Sequence, residues 1–156
     1  MGYLSPRGAT PEHSRRAGLT TCLLAARSCI SVSYVATIHI SVPADAEYVG
    51  LVRSTSAHVA AQCELTMDQI EDLRLAVNEA FAFLVEPDST SRIEIAFTVD
   101  GGTLSITLCG SPSAKDPDRG SFGWTVLTAL VNAVTSHRTS DGNLVIQLTA
   151  LAGVSA

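Results

Sequence analysis

The stretch QIEDLRLAVNEAFAFLVE, Gln69 to Glu86, constrains the fold more than any other part of the chain. Ile70, Leu73, Val77, Ala80, Phe81 and Leu84 recur at helical spacing, while Glu71, Asp72, Arg74 and Asn78 fall on other faces. Thr66, with Gln69 three residues later, forms a capping box in which each partner satisfies a backbone donor of the first turn, and Pro87 closes the segment. The result is a helix committed to burial, with one carboxylate, Glu79, at the edge of its apolar stripe. A glutamate in that place is ordinarily a solvated surface residue. Whether Glu79 does more depends on the rest of the chain.

At 156 residues the chain suits one domain, long enough to bury roughly two thirds of the surface its unfolded form exposes. The hydrophobic fraction is 46% but only 5% is aromatic, so aliphatic side chains must supply the core. No apolar run approaches the roughly 18 residues of a membrane span, and a soluble, non-membrane protein is expected. The formal charge of -5, with no basic cluster in the folded part, argues against a nucleic-acid partner. Cys22, Cys29, Cys63 and Cys109 show no C-x-x-C pairing, and the four histidines have no ligand spacing. The cysteines are therefore read as reduced and mostly packed, and no metal site built by the protein alone is expected.

Residues 1–35 differ from the remainder. They contain Pro, Gly and Arg, with Glu12 the one acidic residue, and a short apolar patch interrupted by Arg27. A basic region ahead of Leu19 to Ala26 has the outline of an export signal, but the patch is short and lacks a cleavage site. The segment is read instead as a disordered or non-native N-terminal extension, with the folded domain covering residues 36–153.

From there the elements follow one another. Thr37 to Val42 alternates as a strand, and Pro43 opens a helical segment with Tyr48, Leu51, Val52, Val59 and Ala60 that runs to about Gln62. After the Thr66-capped helix comes a hairpin. Ile93, Ile95, Phe97 and Val99 alternate, Asp100 to Gly102 turns, and Leu104, Ile106 and Leu108 return. A polar, Pro- and Gly-rich loop leads into an amphipathic helix over Ser121 to Val134, with Val126, Leu127, Leu130 and Val134 inward, and Asn143 to Leu151 is a last strand. This order predicts an α+β two-layer sandwich, a mixed and mainly antiparallel sheet with its helices on one face.

Three segments, EYVGLVR at Glu47 to Arg53, IEDLRLAVNEA at Ile70 to Ala80 and RGSFGWTVLTALVNAV at Arg119 to Val134, resemble the RsbW-type anti-sigma factors. These are serine-protein kinases of the GHKL, or Bergerat-fold, ATPase class, and the resemblance covers about residues 37–151. Its most specific part is Asp72 to Ala80, which reproduces the family pattern acid-leucine-x-leucine-alanine-valine-x-glutamate-alanine. The resemblance implies that Glu79 takes the place of the catalytic base facing the ATP phosphates. It also implies that Gly110, Gly120 and Gly123 belong to nucleotide motifs, the latter two letting backbone amides approach phosphates ahead of a helix.

Two positions depart from the family. The magnesium-binding asparagine four residues after the glutamate is Phe83 here, and the aspartate that reads the adenine amino group is Leu108, in LCG. Neither side chain offers an oxygen to a hard cation or an acceptor to an adenine N–H, so ATP binding is expected to be weak or lost, with magnesium present only where nucleotide binds. Glu79 is then a relic of the catalytic position. Arg53, 26 residues before Glu79, matches the arginine with which the family contacts both sigma factor and antagonist. Trp124, at a helix start, is read as core. The resemblance thus implies a cytoplasmic anti-sigma factor that sequesters an alternative sigma factor until a STAS-type anti-anti-sigma factor competes for it. It further implies a homodimer, with the first helix and its preceding strand as the dimer and partner face. An active serine kinase acting on the antagonist, and a GHKL-like ATP-binding module of another signalling system, stand as alternatives.

Overall fold

A computed structural model describes residues 35–87 and 90–153; the expected N-terminal extension lies outside the described residues except for Val35. Alternation in the sequence becomes a five-stranded sheet: β1 (Ala36–Pro43), β2 (Arg92–Asp100), β3 (Thr103–Cys109), β4 (Ala133–Arg138) and β5 (Leu144–Leu151), in the order β1-β2-β3-β5-β4. All four pairings between these strands are antiparallel. Three helices, α1 (Val49–Gln62), α2 (Met67–Ala82) and α3 (Phe122–Leu130), complete the fold.

The two layers follow from the period of two in the strands. Ile93, Ile95 and Phe97 of β2, Leu104, Ile106 and Leu108 of β3, and Leu144, Ile146 and Leu148 of β5 are buried on one face. Glu94, Thr98, Ser105 and Thr107 alternate with them and stay at least partly exposed. The buried face receives the stripe of α2, where Leu73, Val77, Ala80 and Phe81 are all 1% exposed or less, and Leu84 in the turn that follows is fully buried. The hairpin turns on Gly101 and Gly102, at φ of 51° and 84°, both in the left-handed region that a two-residue turn of this hand requires.

The capping box forms as expected, Thr66 Oγ1 accepting from Gln69 N and Gln69 Oε1 accepting from Thr66 N at 3.0 Å. Elsewhere the helices depart from expectation. α2 stops at Ala82 rather than running to Pro87, because Leu84 N bonds Phe81 O in a tight turn and Glu86 N is then taken by Ala44 O beside β1. The segment after Pro43 begins as a single 3-10 turn, Ala46–Tyr48, capped by Asp45, before α1 starts. Val52, Val59 and Ala60 turn inward from α1, whereas Tyr48 and Leu51 remain exposed.

The largest difference is β4. Helical spacing placed Val134 on the third helix, but α3 ends at Leu130 and Val131 is already extended, with φ -133° and ψ 160°. Asn132 makes the change of direction, its N–H donating to Thr149 O and its Oδ1 accepting from Leu151 N, so the chain joins the edge of β5. Pairing with β5 satisfies backbone groups that a longer helix would have satisfied internally.

One residue other than glycine has positive φ among the described residues, Glu64 at 60°, where the chain leaves α1. Glycine is the usual residue at such a helix end because it has no Cβ to crowd the left-handed backbone. Glu64→Gly is expected to stabilise the domain by about 0.5–1 kcal/mol, read as a raised urea midpoint at unchanged m-value. A lowered midpoint would show that the glutamate side chain contributes more than its backbone strain costs.

Candidate functional site

The geometry around Glu79 begins with helix α2, whose buried stripe fixes the rotation of the helix and leaves Glu79 half-buried at its margin. The Asn78 side-chain amide donates to Glu79 Oε1 at 3.4 Å. On the other side the carboxylate meets the first turn of α3. A β-carbon at Gly123 would come within 3.0 Å of Glu79 Oε2 and 3.5 Å of Phe83 Cζ. Glycine at 123 is therefore what lets the carboxylate lie against the helix start, where the helix dipole favours negative charge.

Of the residues expected to act together, Glu79 and Gly123 are in contact. Gly120 is exposed in the approach to α3, and its N–H is already held by Asp118 Oδ1 at 2.9 Å. Ser121 caps the helix, Oγ accepting from Trp124 N. Gly110 has a packing role. A β-carbon there would fall 2.9 Å from Leu84 Cδ2 and 3.4 Å from Leu84 Cβ, and Leu84 is fully buried. Arg53 lies on α1, half-buried, and its Nε is buried with no hydrogen-bond partner among the described residues.

Phe83 and Leu108 decide what the site can hold. The Phe83 ring packs edge-on to Trp124, centroids 6.1 Å apart, and Arg119 lies over the Trp124 ring at 5.4 Å. Trp124 itself is buried, in line with its reading as core. Leu108 is fully buried in the sheet. Carbon thus occupies both positions at which the resemblance expects oxygen for a nucleotide and its cation, and among the described residues no group of three or more His, Cys, Asp or Glu is arranged to hold a metal. The side chains do not fit a magnesium ligand at 83 or an adenine-reading acceptor at 108. An apolar cleft of about 160 Å³ lined by Ala46, Val49, Asn78, Phe81, Ala82 and Val85 contains no ionisable group. The two cysteines among the described residues are free, Cys63 buried and Cys109 half-buried, and burial pushes both thiols up, with Glu94 adding to the rise at Cys109.

Residues 42–149 match the family model described as the histidine kinase-like ATPase domain. The chain belongs to that family. It is similar to the serine-protein kinase RsbW of Bacillus subtilis, 35% identical over 86 residues that make up 53% of this chain and 54% of the relative. It is similar also to the RsbW of Bacillus velezensis, 33% identical over 93 residues, 57% of this chain and 56% of the relative. The chain spans about half the length of these curated relatives. Among solved structures, the RsbU and RsbW domains of Rv1364c from Mycobacterium tuberculosis share the fold, with a TM-score of 0.58 at 22% identity over 78% of this chain and 34% of that one. The RsbW-type resemblance and the sheet-and-helix architecture read from the sequence are thereby borne out. Among the described residues no helix is long and apolar enough to cross a membrane.

The residues that sequence reasoning missed are Asn78, which orients Glu79, and Leu84, which makes Gly110 obligatory. Asn78 carried a signal, being adjacent to the glutamate; the Leu84 contact joins residues 26 positions apart and had none. Gly110→Ala is expected to destabilise the domain by about 1–3 kcal/mol, because the added methyl must displace a buried leucine. Leu84→Val in the same chain should recover part of that loss in urea unfolding. Full stability of the Gly110→Ala single variant would show that the Leu84 side chain can swing away.

Proposed function

We propose that this chain is an anti-sigma factor that works by binding, holding an alternative sigma factor until a STAS-type anti-anti-sigma factor competes for an overlapping surface. One observation carries the reading beyond family membership. Arg53 stands where the resemblance puts the contact arginine, and its buried Nε, like that of Arg74, has no hydrogen-bond partner among the described residues. A buried donor left unpaired is a free-energy cost, and the half-buried Arg53 side chain would relieve it by turning outward to an acceptor on another protein. The first strand adds support for assembly. β1 is an edge strand, and Val35 and Ile38 are exposed at 54% and 40%, so a homodimer through β1 and α1 is part of the proposal. Cytoplasmic residence follows from such partners.

Arg53→Ala should weaken binding of the cognate sigma factor at least about tenfold in a titration while leaving the thermal midpoint within a few degrees. Unchanged affinity would remove Arg53 from the partner surface.

A second reading has an observation of its own. The relatives are named serine-protein kinases, and Glu79 lies against the glycine at the start of α3, the arrangement a base facing phosphates would need. Against it, Phe83 stands where the resemblance expects the magnesium ligand on which phosphoryl transfer depends, and Leu108 where it expects the acceptor that reads adenine. Under the sequestration reading, nucleotide binds weakly or not at all, Glu79 is a relic, and Glu79→Gln leaves sigma inhibition intact. Purified protein mixed with antagonist and radiolabelled ATP should give no serine labelling. Robust labelling that falls by about 100-fold or more in the Gln variant would make the chain an active kinase.

A further inference from the structure

The segment between β3 and α3, residues 110–121, is polar, rich in Pro and Gly, and without helix or strand of its own, yet side chains from three other places tie it down along its length. Arg138, the last residue of β4, is the centre of these ties. Its Nε donates to Asp116 Oδ1 at 3.0 Å, one terminal nitrogen to Pro112 O at 3.2 Å and Gly142 O at 2.7 Å, and the other to Ala114 O at 2.6 Å. One guanidinium therefore joins three points of the segment to the β4–β5 turn. At its start, Ser111 Oγ donates to the Glu86 carboxylate, which also accepts from Ser91 Oγ. Near its end, Arg119 donates to Ser136 Oγ at 3.1 Å and lies over Trp124. Within it, Ser111 accepts from the amides of Ser113 and Ala114, and Ala114 is only 3% exposed.

We propose that Arg138 is a positioning residue that makes residues 111–119 a fixed strut, setting the first turn of α3 and Gly123 against Glu79 before any ligand arrives. The planar fork of an arginine can serve acceptors in several directions at once, and it stays charged across the whole working pH range. Lysine offers a single nitrogen and cannot span the same four oxygens. A segment held by this many charge-assisted bonds does not wait for a nucleotide or a partner to order it, so the chain enters α3 from a fixed position. The inference does not rest on the sequestration reading and holds whether or not the chain binds nucleotide.

Hydrogen exchange on the full chain without ligand tests it. In the wild type, the amides of Ser113 and Ala114 should exchange far more slowly than an open loop. In Arg138→Gln they should exchange at least about tenfold faster while Ile146 and Leu148 in β5 keep their rates, and Arg138→Lys should fall between the two. Unchanged exchange at Ser113 and Ala114 in Arg138→Gln would overturn the proposal. A rise of equal size throughout β3 and β5 would overturn it as well, since Arg138 would then support the fold in general and position nothing in particular.

Discussion

Burial of one face of α2 is the constraint on which the rest of this molecule depends. Leu73, Val77, Ala80, Phe81 and Leu84 leave water almost completely, and each large aliphatic or aromatic side chain so buried contributes about 1.5–3 kcal/mol. That stripe fixes how the helix is rotated on the sheet, and rotation fixes everything displayed beside it. Glu79 lies at the margin of the stripe, half in contact with the interior, because the residues on either side of its position have no freedom to turn. α1 and α3 then pack against the flanks of α2, so the surface bearing Arg53 and the helix start bearing Gly123 are both referred to the same apolar row.

Close approach is the second theme, and it is decided by missing atoms. Gly123 allows a carboxylate to lie against a helix start, and Gly110 allows the end of the central strand β3 to close on Leu84. The first contact looks like chemistry and the second is packing, although both glycines fall in segments that resemble nucleotide motifs. In the same neighbourhood Phe83 packs on Trp124 and Leu108 lies in the core, so neither presents an oxygen. A fold can keep the shape of a site while its ligands change, because shape is held by the buried apolar set and ligands are held by a few side chains at its rim.

Polar ties do at the sheet edge what apolar packing does at its centre. β4 is short, its outward residues are largely exposed, and it would be a weak edge alone. Arg138 and Ser136 use it as a frame for the preceding loop, and Asn132 joins its start to β5. At the opposite edge, Arg92 donates to the hydroxyl and carbonyl of Ser41 while Ser41 donates to Glu94, so β1 is tied to β2 by side chains as well as by its ladder.

What the sequence determined by itself was whatever local period and turn chemistry can encode: the α2 stripe, the Thr66–Gln69 capping box, the alternation of β2, β3 and β5, and the Gly101–Gly102 turn. Each depends on residues within a few positions of one another, and here the distant partners agree with the local signal. The pattern at Asp72 to Ala80 likewise pointed to the family and to Glu79. Tertiary structure alone decided the fate of residues 131–138, whose apolar spacing suited a helix, because hydrogen bonds to Thr149 and Leu151 made the edge of β5 the better place for their backbone. It also decided where α2 ends, through Ala44, and how Arg138 holds the loop, since the groups that meet there lie 22 to 26 residues apart and a backbone carbonyl leaves no trace in the identity of the residue that carries it.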